Sequence, residues 1–148
     1  MTEQEVRNAL REVIPARRLI EQHTQEVERL RSMAQSVSAS PLTGMPHGGN
    51  EQDKLGAAVA RICDLADDVE KYVRHYEDKL HRAYQLIELA EDIDGKAIIT
   101  ARHINGKSWD FIPYIVNMSR STVFYHYNLA IRQIAAATEK TKVRTNSD

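Results

Sequence analysis

Between residues 55 and 90 the apolar positions Leu55, Val59, Ile62, Ala66, Val69, Val73, Tyr76, Leu80, Ala83, Ile87 and Ala90 alternate spacings of four and three without a slip. Such a run predicts a helix over about 51–91 with a coiled-coil seam. At ~1.5 Å per residue it would be a rod roughly 60 Å long. Upstream, over about 3–37, a less regular stripe of Leu10, Val13, Ile20, Val27 and Ala34 also reads as helix, with Arg17, Thr24 and Arg31 interrupting it. Pro15 inside that pattern calls for a kink or for a fresh start with the proline in a first turn. The stretch "SVSASPLTGMPHGGNEQD" (36–53) contains two prolines, three glycines and four Ser/Thr. It predicts a flexible loop at about 38–50 with no site in it. Asn50 is placed to cap the helix that follows, with Asp53 at its third position. The loop lets the first helix fold back antiparallel. Two helices alone bury one shared stripe, so the hairpin is expected to self-associate, as a homodimer or higher oligomer, through the 55–90 helix.

After residue 91 the pattern changes to short pieces. Asp92 or Asp94 caps a helix carrying Ile98, Ile99 and Ile104, which stops at Asn105-Gly106. Ser108 caps the next helix, "WDFIPYIV", with Trp109 as a lid on the core rather than a stacking platform. Asn117-Met118 forms a turn, and Ser119 caps a last helix over about 120–136. At 100° per residue that helix has two faces. Val123, Tyr127, Ala130 and Ile134 share one side with Phe124 and Ile131; Ser121, Tyr125, Asn128 and Arg132 share the other. The expected organisation is all-α: a long antiparallel helical hairpin (coiled coil) over 1–91, a helix-turn-helix domain over 92–137, and a disordered tail over 138–148.

Charge sharpens this reading. The chain has 148 residues and a formal charge of -1, which hides an asymmetry. Residues 1–92 carry 12 Lys+Arg against 17 Asp+Glu, a net of -5, and residues 93–148 carry 8 against 4, a net of +4. From 111 to 138 there is no acid at all. Two helices joined by a tight turn, the second opening "SRST" on an acid-free face, form a helix-turn-helix arrangement. Its second helix enters the major groove of a duplex. Short Ser and Thr donors let the backbone come close, and a helix N-terminus favours phosphate. Arg120 can pair bidentately with guanine or with phosphate. The candidate DNA-binding residues are Lys107, Ser108, Ser119, Arg120, Ser121, Thr122, Tyr125, Asn128 and Arg132.

Catalytic chemistry has no foothold here. No HExxH, P-loop, CxxC or GxSxG pattern occurs. His75 and His81 are six apart, on different helix faces, so they do not make an i, i+4 zinc pair. Asp67-Asp68-Glu70 and Glu88-Glu91-Asp92 read as solvated helix faces. The single cysteine, Cys63, follows Ile62 in the apolar stripe and reads as core rather than nucleophile. Neither catalytic residues nor a metal or cofactor is expected. The N-terminus shows no secretion signal and no run approaches a membrane span of about 18 apolar residues. The expected compartment is the cytoplasm.

"ITARHINGKSWDFIPYIVNMSRSTVFYHYNLAIRQI" (99–134) resembles region 4 of bacterial sigma factors and related response-regulator modules. It resembles more closely the small phage and prophage late transcriptional regulators of the autolysin-regulator type. "RHINGKSW", the Ile-rich first helix, "MSRSTV" and "H..LAIRQI" carry the resemblance, and the "SPLTGMPHGGN" loop extends it more weakly over most of the chain. The resemblance implies sequence-specific binding of double-stranded DNA through Arg120, Ser121, Thr122 and Tyr125, and control of phage late genes. The protein would then sit on the nucleoid of a bacterial host. The departure is Pro113, where such modules usually have alanine, so that helix should bend or start late. Two other functions share these features. One is a phage DNA-packaging recognition subunit (small terminase); the other is an interaction module that docks on host RNA polymerase.

Overall fold

The computed structural model describes residues 1–38 and 50–145, and among them every regular element is helical. The elements are α1 (Glu3–Arg11), α2 (Val13–Ser38), α3 (Asn50–Glu88), α4 (Ile93–Ile99), α5 (Ile112–Val116) and α6 (Arg120–Thr145). A five-residue π-helical turn, Thr100–Ile104, continues α4. The loop expected at about 38–50 lies outside the described residues, apart from its ends. No helix among the described residues is long and apolar enough to cross a membrane.

The chain divides into two compact units, Met1–Ala16 with Tyr76–Asp148, and Arg17–His75. In the first, α1 opens with a capping box. Thr2 Oγ1 accepts from Glu5 N (3.2 Å), and Glu5 Oε2 accepts from Thr2 N (2.7 Å). The helix breaks at Glu12, and α2 begins at Val13 with Pro15 as its third residue. Of the alternatives at Pro15, this is the fresh start: the missing N–H falls among those that a first turn leaves unpaired. Val6 and Leu10 on α1 and Val13 are fully buried. They join one core with Ala83, Ile87 and Ala90 of the α3 end, Ile98 and Ile99 of α4, and Val123, Tyr127, Ala130, Ile131 and Ile134 of α6. The hairpin expected over 1–91 takes in residues 1–16; in the structure α1 packs on α6.

Glycine permits a close approach in this core. A Cβ on Gly95 would lie 2.5 Å from Ala130 Cβ and 2.7 Å from the His126 carbonyl oxygen, so only the bare backbone lets α4 come so near α6. The connection before α4 is clamped as well. Gln133 Oε1 accepts from both Glu91 N and Asp92 N at 2.9 Å. Asp92 is the cap of α4, with Oδ2 accepting from Gly95 N at 2.8 Å.

In the second unit Val27 and Leu65 are buried, and the ring of His23 packs on that of Tyr72 with centroids 4.6 Å apart. The covered stripe of α3 differs from the predicted seam here. Leu55, Ala58, Ile62, Leu65, Val69 and Tyr72 are covered wholly or in part, whereas Val59 (50% exposed) and Ala66 face solvent. Both stripes obey the alternation of three and four, shifted by one residue at every second position, and periodicity alone does not separate them. Cys63 is exposed, not core: it is one residue, hence 100°, past Ile62 and leaves the covered face.

Two boundaries change at the C-terminal end. α6 runs to Thr145 instead of stopping near 136, so residues 138–145, expected as disordered tail, are helical. α5 begins only at Ile112, with Pro113 in its first turn. Of the two alternatives at Pro113 this is the late start, and Trp109–Phe111 form a turn before it.

Candidate nucleic-acid interface

The segment leading to the candidate face is ordered by backbone bonds. Asn105 N donates to the Thr100 carbonyl (3.0 Å), closing the π turn, and Lys107 N donates to the Ala101 carbonyl (2.9 Å) just past it, while Gly106 takes the left-handed φ of 70° that lets the chain reverse. Arg102 donates to the Lys107 carbonyl (3.0 Å) and stacks over Trp109 at 5.2 Å. Trp109 is the expected lid: half-buried, its ring 4.9 Å from both Phe124 and Tyr127. Ser108 starts the next turn, its Oγ accepting from Phe111 N at 3.3 Å. α5 ends at Asn117, the single non-glycine residue with positive φ among those described (φ 53°, ψ 50°). Asn and Gly tolerate that region best. There the Pro113 carbonyl accepts from Met118 N (3.0 Å) and the chain turns into α6.

Ser119 caps α6. Its Oγ accepts from Thr122 N (3.3 Å) and lies 2.8 Å from Thr122 Oγ1 and 3.2 Å from Ser121 Oγ. The hydroxyls of "SRST" therefore order the first turn before they meet any partner. Arg120 Nη1 donates to Asp110 Oδ1 at 2.7 Å. With Pro113, Tyr114, Asn117, Met118 and Ser119, the pair lines an open cleft of about 760 Å³ between α5 and α6.

The predicted faces of α6 are those observed. Val123, Tyr127, Ala130, Ile131 and Ile134 are buried, and Ser121, Tyr125, Asn128 and Arg132 are exposed. Lys107 and Ser108 are exposed in the segment ahead of the turn that leads into α5, where Lys107 Nζ lies 5.9 Å from the Phe111 ring. Three side chains outside the expected binding set contact α6. Arg7 of α1 reaches the α6 face, where its Nη2 donates to Asn128 Oδ1 at 3.0 Å across 121 residues of sequence. Asp110 engages Arg120 from an adjacent element, and no periodicity signals either pair. Asp92 accepts from His126 Nδ1 at 2.9 Å, under the shoulder of α6.

Asp92, Asp94 and His126 bring three possible metal-ligand atoms within 4.8 Å of one another. Asp92 Oδ2 is already engaged by both Gly95 N and His126 Nδ1, so a helix cap with a hydrogen-bonded histidine accounts for the group. Below the exposed face, His103 Nε2 is 3.1 Å from the Tyr127 hydroxyl. Burial, and then the charges of Arg102 and Arg11, pull the His103 pKa down from 6.5 to about 4; burial pushes the Tyr127 phenol up. His103 is therefore a neutral core group.

Compared with known proteins, the chain matches no family model, no curated protein and no solved structure.

Proposed function

We propose that this protein is a sequence-specific DNA-binding transcriptional regulator of phage or prophage origin, with α5, the turn at Asn117 and α6 as its helix-turn-helix. The observation that carries this reading is the solvent face of α6: Ser121, Tyr125, Asn128 and Arg132 exposed, behind a capped first turn bearing Arg120, with no carboxylate from 111 to 138. An acid on that face would be repelled by a duplex, whereas the basic groups gain from phosphate. α2 and α3 are read as an antiparallel hairpin, and the exposed stripe at Val59 and Ala66 as the place where a second copy docks. The resemblance to autolysin-type late regulators supports the same assignment. The reading includes no catalytic role.

A second reading draws on α5 and the residue before it: Phe111, Tyr114 and Ile115 are 52%, 81% and 47% exposed. An aromatic surface of that kind suits docking on a protein such as host RNA polymerase.

The deciding experiment is selection of bound duplexes from a random pool, followed by binding across a salt series for three variants. Arg120→Ala should cost about 1–3 kcal/mol at a guanine and relax preference at one position. Lys107→Ala should weaken all sequences alike and flatten the salt slope by about one. Ile134→Ala should lower stability by about 2–5 kcal/mol and show its binding loss only through unfolding. If the first two variants stay folded and bind as the parent does, the DNA reading is lost and docking on a protein is favoured.

A further inference from the structure

Arg120 approaches the solvent face already held. Its Nη1 lies 2.7 Å from Asp110 Oδ1, and its guanidinium carbon is 5.9 Å from the Phe124 ring centre. Asp110 is ten residues back, just before α5, and is the last acid ahead of the acid-free run. The two side chains are 63% and 82% exposed, so the pair adds little to fold stability. What the carboxylate contributes is a negative charge and an acceptor that favours one direction of the Arg120 guanidinium at the mouth of the α5–α6 cleft, beside Tyr114 and Ser119.

Those two properties act differently on the two kinds of duplex contact. A phosphate brought to Arg120 also meets the Asp110 charge, which offsets the attraction. A guanine edge offers neutral N7 and O6 acceptors and suffers much less. With Nη1 on Asp110, Arg120 keeps the donors on Nε and Nη2, and its long side chain has fewer rotamers to lose on binding. We infer that Asp110 is a specificity-determining positioning residue: it holds the Arg120 fork for a base edge and penalises phosphate in the same place. This rests on the DNA-binding reading and names the device that makes that binding selective.

The test uses the full chain and two probes, the duplex recovered by selection and a scrambled duplex of the same length. The quantity read is the ratio of the two affinities for the parent, Asp110→Asn, Arg120→Ala and the double variant, with melts confirming that all four fold alike. Asp110→Asn should tighten binding to the scrambled duplex, weaken binding to the selected one, and cut the ratio by about five- to tenfold. In the Arg120→Ala background the same change should leave the ratio where it was. An unchanged ratio in Asp110→Asn, or an equal fall in both backgrounds, overturns the assignment while leaving DNA binding intact. A parent chain that binds neither duplex overturns the DNA reading and this inference with it.

Discussion

The His103 imidazole and the Tyr127 hydroxyl meet at 3.1 Å, joining the π turn after α4 to the middle of α6. Their rings also stack, with centroids 5.9 Å apart. The contact ties the position of α6 to a neutral histidine, with a consequence for pH. The folded pKa of about 4 lies below the ordinary 6.5, so between those values the unfolded chain binds more protons than the folded one. Stability is complete above about pH 6.5 and falls as pH drops toward 4, by at most about 3 kcal/mol from this group. Thermal melts of the parent and His103→Gln from pH 7.5 to 4.5 should show a steeper decline in the parent. Parallel curves would mean that His103 is not held neutral.

Gly95→Ala should destabilise, although alanine is the better helix former by about 1 kcal/mol. The added Cβ would meet Ala130 Cβ at 2.5 Å and the His126 carbonyl at 2.7 Å, and backbone does not yield cheaply. Overpacking of this kind costs about 1–3 kcal/mol. Denaturant unfolding should place the variant midpoint below the parent's; a midpoint above it would show that α4 can move off α6.

Gln133 is half-buried and its Oε1 is the acceptor for two consecutive backbone donors, Glu91 N and Asp92 N. Gln133→Ala leaves both without it and should cost about 1–2 kcal/mol. Amide exchange should then quicken at Glu91 and Asp92 more than in the α6 core. Uniform acceleration across the first unit would indicate global destabilisation without the local clamp.

Val59 is half-exposed on the α3 face left open beside the Leu55–Ala58–Ile62–Leu65 stripe. If a second copy covers that face, Val59→Asp places a charge in the contact and should lower the mass seen by sedimentation, with the monomer's helicity kept. Equal masses for parent and variant would move self-association elsewhere. Leu65→Asp is the control, since it buries the charge inside the chain's own core and should unfold the second unit.

Local chemistry made much of this legible without coordinates. Helix content follows from the three-four alternation, and the Asp92 and Ser119 caps from short polar side chains at helix starts. The buried and open faces of α6 follow from angular arithmetic on Val123, Tyr127, Ala130 and Ile134 against Ser121, Tyr125, Asn128 and Arg132. Each of these depends on residues within a turn or two of one another. Tertiary structure alone decided the rest. Which of two overlapping stripes on α3 is covered, and hence that Cys63 is exposed and Leu65 buried, depends on what packs against the helix, because periods of three and four fit both. That α1 lies on α6, that Arg7 reaches Asn128, and that Asp110 holds Arg120 follow from side chains meeting across 10 to 121 residues of sequence. No local preference encodes such pairs. They appear only when burial of Val6, Leu10 and Ile134 in one core brings the helices together.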